Sequence, residues 1–107
     1  MKRGDLVSVV VAGDFGKPRP GLIIQSDLFV DLEATTVFLL TSKLTDLPAL
    51  RITVAPSPAN GLRKVSQVSI DRAMSVRNDK VGPVFGHLDD EDMVRINRAI
   101  AVFFGLG

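Results

Sequence analysis

The chain has 107 residues, with 13 Lys and Arg against 12 Asp and Glu, and this length predicts a single domain spanning residues 1–107. Apolar residues at 46% and charged residues at 23% are ordinary globular proportions, which excludes extensive disorder. The absence of cysteine excludes disulfides, thiolate metal sites and a Cys nucleophile, and the single histidine, His87, leaves a multi-His metal centre without ligands. No cofactor and no metal are therefore expected.

In chain order, Leu6-Val7-Ser8-Val9-Val10-Val11 is rich in β-branched residues and predicts a first strand. The Gly- and Pro-dense stretch from Gly13 to Pro20 predicts a loop, after which Gly21 to Ser26 resumes as a second strand. Thr35 to Leu40 predicts a third strand, and Leu50 to Val54 alternates with period two, as a strand with one buried face does. Pro56 to Gly61 is a turn segment; Val65, Val68 and Ile70 mark a strand ending near Asp71, followed by a short one around Ser75 to Arg77. A helix closes the chain. Asp89 is its predicted N-cap, with Asp90, Glu91 and Asp92 near the positive end of its dipole. Met93, Ile96, Ile100 and Phe103 form its apolar stripe, and Gly105 is its stop. Phe103, Phe104 and Phe38 are expected in the core. The fold class is α+β, mostly β: a small barrel or curved antiparallel sheet with a C-terminal amphipathic helix packed on it.

The longest uninterrupted apolar run, Ala99 to Phe104, has six residues, against roughly 20 needed to span a bilayer. The opening Met1-Lys2-Arg3-Gly4-Asp5 develops no apolar signal core, so a cytoplasmic location without membrane contact is expected. Charge is distributed in blocks: residues 1–26 carry four bases and two acids, and residues 51–80 carry six bases and two acids. Convergence of these two segments would suit a polyanionic partner.

Several segments together resemble one family. Arg3-Gly4-Asp5 leads into the first strand, Arg19-Pro20 heads the second, and Gln25-Ser26-Asp27 ends it. Leu40-Thr41-Ser42 leaves the third strand, Val65 to Asp71 carries a Gln before an Ile-Asp pair, and His87 to Leu106 supplies the closing helix. In this order they resemble the MazF/PemK-type toxin endoribonucleases of bacterial toxin–antitoxin modules. The resemblance implies a small SH3-like barrel, a homodimer, and metal-free cleavage of single-stranded RNA at short sequences. It also implies a cognate antitoxin whose acidic or amphipathic tail competes with RNA for the basic segments.

The resemblance singles out Arg19 and Thr41 as catalytic residues. Arg19 carries a planar fork suited to two phosphate oxygens, held between Pro18 and Pro20; by chemistry alone it reads equally well as a surface Arg in a turn. Thr41 can donate to a phosphate or orient a 2′-hydroxyl, and Ser42 is an equal candidate if the register shifts by one. Lys64 and Ser66 stand where the family has a basic residue and an Asp two positions later, so the Asp is absent here. Asp14 matches the acidic residue of the family's first loop, and Gln67 its later-strand Gln. Lys17 is expected to contact phosphate, as are Arg51, Arg63, Lys64 and Arg77. With no Tyr or Trp and six Phe, base stacking falls to Phe15 first, with Phe29 and Phe85 behind it. The general base stays unassigned, and His87, next to the acidic helix start, is expected in a structural or surface role.

Two other readings compete. Gln25-Ser26-Asp27 and the Ala99 to Gly107 tail also resemble the CcdB gyrase poisons, which act by protein–protein binding, although the tail carries no Trp. A non-toxic RNA-binding barrel is the third.

Overall fold

The computed structural model describes residues 1–107, and its elements follow one another as six strands, two short 3-10 turns and one helix. The strands are β1 (Asp5–Val10), β2 (Pro18–Ile23), β3 (Ala34–Thr41), β4 (Arg51–Val54), β5 (Ser66–Arg77) and β6 (Val81–His87). The 3-10 turns cover Asp27–Phe29 and Asn78–Lys80, and the helix α1 covers Asp90–Phe103. The strands form one antiparallel sheet in the order β4-β5-β3-β2-β1-β6. The sheet is curved but not closed, so of the two expected architectures the open one is observed, with β4 and β6 as its edges.

Alternation along the strands sends side chains to two apolar clusters. Leu6, Leu22, Phe38, Leu40, Val68 and Ile70 meet Ile96 and Ala99 of α1 in the larger cluster. Val7, Val9, Ile23, Val37 and Val76 form a second cluster. The sheet is therefore largely apolar on both faces at its centre, with Thr35 and Ser69 among the few polar residues buried there. α1 begins as predicted: the Asp89 carboxylate accepts from the Asp92 N–H at 2.8 Å, an N-cap of the kind worth about 1 kcal/mol. It also ends as predicted, with Gly105 at φ +70° and the Leu106 N–H donating to the Ala101 carbonyl at 2.8 Å.

Four expectations are corrected. β2 starts at Pro18 rather than Gly21 and stops at Ile23, because β3 pairs only with Gly21–Ile23. Pro18–Pro20 is thus an open edge on that side, where a missing N–H leaves no ladder bond unmade. Second, residues 66–77 form one strand instead of two: a register shift opposite Phe38 and Leu40 bends it past the exposed Asp71 and Arg72 without ending it. Third, β6 is a further strand, running through Gly82, Pro83 and Gly86, residue types that ordinarily mark turns. It is an irregular edge strand pairing with β1 through two register shifts, a setting that admits Pro and Gly. Finally, Phe103 and Phe104 are half exposed rather than buried and stack edge to face on each other. α1 packs against β4 and β5, and its buried residues are Ile96 and Ala99, ahead of the two Phe.

Candidate functional site: a cationic groove at the open edge of β2

The splay between β2 and β3 creates the site. Their ladder ends with Gly21 opposite Leu39, and beyond it Leu40 and Thr41 turn to pair with Val68 and Gln67 of β5. Continuing the broken register sets Arg19 across from Thr41, with a gap where the ladder would have been. That gap is an open groove. One part, of about 570 Å³, is lined by Ser8, Pro18, Arg19, Pro20, Ser42, Arg63, Lys64, Ser66 and Phe85, among others. It continues into a hollow of about 290 Å³ bounded by Lys17, Arg19, Thr41, Ser42, Lys43 and Ser66. Lys17, Arg19, Lys43, Arg63 and Lys64 line the two parts, and no carboxylate does. The basic segments 1–26 and 51–80 thus converge, although the chain's net charge is only +1.

Arg19 is held in this groove by the loop before it. Its Nε donates to Asp14 Oδ2 at 2.7 Å and its Nη2 to Asp14 Oδ1 at 3.1 Å, a two-point fork. Nη1 makes no hydrogen bond within the protein, so one edge of the guanidinium remains available to a ligand. The loop folds back through the Lys17 N–H donating to the Asp14 carbonyl at 3.0 Å, with Gly13, Phe15 and Gly16 all at positive φ. The hydrogen bond from Arg19 holds the Asp14 carboxyl below its ordinary value, aided by the charges of Arg19 and Lys17 against a desolvation that opposes them. The same bond holds the Arg19 guanidinium above its ordinary value. Asp14 is thus paired with Arg19 and fixes the direction of its guanidinium.

The remaining candidates divide between the groove and the scaffold. Thr41 Oγ1 accepts from the Lys43 N–H at 3.1 Å, which orients the hydroxyl and leaves its proton free to donate. Ser42, Lys17 and Lys64 are exposed on the groove wall. Ser66 lines the groove but is buried, its hydroxyl donating to the Lys64 carbonyl at 3.0 Å. Gln67 is not a groove residue. It is buried, its Oε1 accepting from the Thr45 N–H at 2.9 Å and its Nε2 donating to the Thr45 carbonyl at 3.1 Å. That exchange anchors the loop after β3.

Phe15 is fully exposed at the tip of its loop, beside a separate hollow with Val10, Val11 and Lys80, and does not line the groove. Phe29 stands half exposed on the Asp27–Phe29 turn. Arg51, its side chain largely buried, pairs with Asp71, and the exposed Arg77 pairs with Asp79; neither lines the groove. His87 is exposed at the end of β6 and makes no ion pair with the acids that follow it. Ser8 and Lys43 line the groove without having been singled out in the sequence; Ser8 is polar inside an otherwise apolar strand, the one cue available. No three His, Cys, Asp or Glu residues converge into a metal-binding group. No helix is long and apolar enough to cross a membrane.

Comparison with known proteins agrees with this architecture. A probable endoribonuclease MazF of Mycolicibacterium smegmatis is 43% identical over 107 residues, covering 99% of this chain and 98% of that protein. The Mycobacterium tuberculosis toxin MazF-mt6 superposes with a TM-score of 0.83 at 25% identity, over 96% of this chain and 98% of the other. A mycobacterial endoribonuclease solved with its cognate antitoxin superposes at 0.82 and 23% identity, over 100% and 97% of the two chains, which speaks for the fold. Residues 2–104 match the family described as the PemK-like, MazF-like toxin of type II toxin–antitoxin systems. The chain belongs to that family, which sets aside the gyrase-poison reading.

Proposed function

We propose that this chain is the toxin of a type II toxin–antitoxin pair and an endoribonuclease that cuts single-stranded RNA in the groove between β2 and the loop after β3. The observation that carries the reading is the convergence of five cationic side chains on one open groove without a carboxylate in its lining, a surface suited to a polyphosphate chain. In the reaction the ribose 2′-oxygen attacks the adjacent phosphorus and gives up its proton. The bond from phosphorus to the 5′-oxygen breaks, and that oxygen takes a proton. The products are a 2′,3′-cyclic phosphate and a free 5′-hydroxyl.

Arg19 is assigned as the phosphate clamp. Its guanidinium, pre-aimed by Asp14, offers the free Nη1 to a phosphoryl oxygen as negative charge builds there. Thr41, its oxygen already held by the Lys43 amide, donates its proton to the same phosphate, or Ser42 does so beside it. Neither member of the Asp14–Arg19 pair suits a general base: the pairing keeps Arg19 protonated and makes Asp14 a weaker proton acceptor. Lys17, Lys43, Arg63 and Lys64 carry the flanking phosphates. Because relatives are known as MazE–MazF complexes and as an endoribonuclease with its cognate antitoxin, we assign an antitoxin as partner, its acidic or amphipathic tail competing for the same cations. A homodimer in the cytoplasm completes the reading.

The test is direct. Purified protein incubated with a defined single-stranded RNA in the presence of a chelator should yield fragments ending in 2′,3′-cyclic phosphate. Intact RNA after prolonged incubation would defeat the proposal, and bound but uncut RNA would favour a binding barrel instead.

A further inference from the structure

We infer that Phe85 is the base-stacking platform of the groove and thereby a specificity-determining residue, an inference that rests on the endoribonuclease reading. The chain has no Tyr or Trp and six Phe. Phe85 alone among them lines the groove that holds Arg19. It is 38% exposed while lining the groove, so part of the residue is accessible to a ligand there. Recognition of unpaired nucleotides calls for a plane beside cations, the base on the plane and the phosphates on the cations. Arg63 and Lys64 line the same part of the groove.

The platform is also rigid, which a stacking surface needs if it is to discriminate. A Cβ at Gly61 would come within 2.6 Å of the Phe85 carbonyl oxygen and 3.3 Å of its ring Cδ1. A Cβ at Gly86 would come within 2.2 Å of the Asn60 carbonyl oxygen. Only glycine at both positions lets the turn lie backbone on backbone against β6, where the His87 N–H donates to the Ala59 carbonyl at 3.0 Å. The ring of Phe85 is thus braced by Gly61 before any ligand arrives. Phe15 lacks such a brace.

The test compares Phe85→Leu, which keeps apolar bulk without a plane, with Phe85→Trp, which enlarges the plane. The probe is a fluorescein-labelled mixed-sequence 2′-O-methyl RNA, which binds but lacks the attacking hydroxyl. The Leu variant should bind on the order of 10- to 100-fold more weakly, and the Trp variant within about threefold of wild type. On a long unmodified RNA, mapped cut sites of the Leu variant should lose preference at one position of the word. Leu and wild-type affinities within about twofold of each other, at matched melting temperatures, would overturn the inference. So would a Leu variant weakened only towards an antitoxin-tail peptide. A wild type that binds the probe yet leaves unmodified RNA whole defeats the nuclease reading, while the affinity ratio still decides Phe85. A wild type that binds no RNA defeats both.

Discussion

Two loops deliver side chains to the groove, and they are held by opposite means. The loop of residues 11–17 is fastened at its centre by the Asp14–Arg19 ion pair, whose side chains are 32% and 41% exposed, and it carries a non-glycine residue, Phe15, at φ 54°. The turn of residues 55–62 is fastened by buried Asn60. That side chain accepts from the N–H groups of Ser57 and Leu62, each at 2.9 Å, and donates to the Ala55 carbonyl at 2.9 Å. Gly61 and Gly86 let the same turn close on β6 without a side chain between them. One loop is positioned by charge at the surface and the other by the buried Asn60 side chain and close backbone contact with β6. The first therefore answers to substitution, salt and ligand, while the second is a fixed wall.

That contrast is best broken at its strongest point. Arg19→Ala removes both the clamp and the fastening of the first loop, and cleavage of a defined RNA should fall by about 100- to 1,000-fold, with melting changed little. Equal turnover by a folded Arg19→Ala protein would refute the assignment. Gly86→Ala strikes the second loop. The new methyl overlaps the Asn60 carbonyl, so thermal or urea unfolding should report a loss of about 1–3 kcal/mol or more, with the turn lifted from β6. Asp14→Asn keeps the shape of the fastening and removes its charge. Single-turnover cleavage should slow by roughly tenfold, as misplacement of a positioned group does, while the melting curve stays where it was.

Salt and pH separate the loops more finely. Raising ionic strength to about 1 M shortens screening to about 3 Å, so amide hydrogen exchange should quicken at Asp14 and Lys17 but not at Asn60–Leu62. For pH the sign follows from Asp14, whose carboxyl is held below its ordinary 3.8. The pair's contribution is present above that unfolded value and disappears only as pH falls through the lower folded one. Cleavage followed from about pH 5 to 9 should show no inflection from this pair.

The legible parts of the fold were those with local signatures. α1 declared its cap, stripe and stop through Asp89, Ile96 and Gly105, since each acts within a turn or two of itself. β1 declared itself by β-branched composition and β4 by its period of two. β6 stayed hidden because Gly82, Pro83 and Gly86 look like turn chemistry, and only an edge position excuses them. The groove was half legible. Arg19 between two prolines, and Thr41 and Ser42 at a strand exit, could be named from the sequence. The anchoring role of Gln67 was not legible, because its partner, the backbone of Thr45, lies 22 residues away and leaves no local mark. Phe15 stands out in a loop, whereas the sharing of one groove by Phe85 and Arg19 is a matter of strand order.

What the residues determined unaided was local: which segments extend, where the helix starts and stops, and that basic and acidic blocks alternate along the chain. Those properties depend on neighbours a few positions apart. The tertiary structure alone decided that β3 bends away from β2 after Leu39, opening a gap opposite Arg19, and that β6 brings Phe85 to the far wall. Both outcomes depend on long-range pairing and on the close approach of two glycine-bearing backbones, which no window of sequence contains.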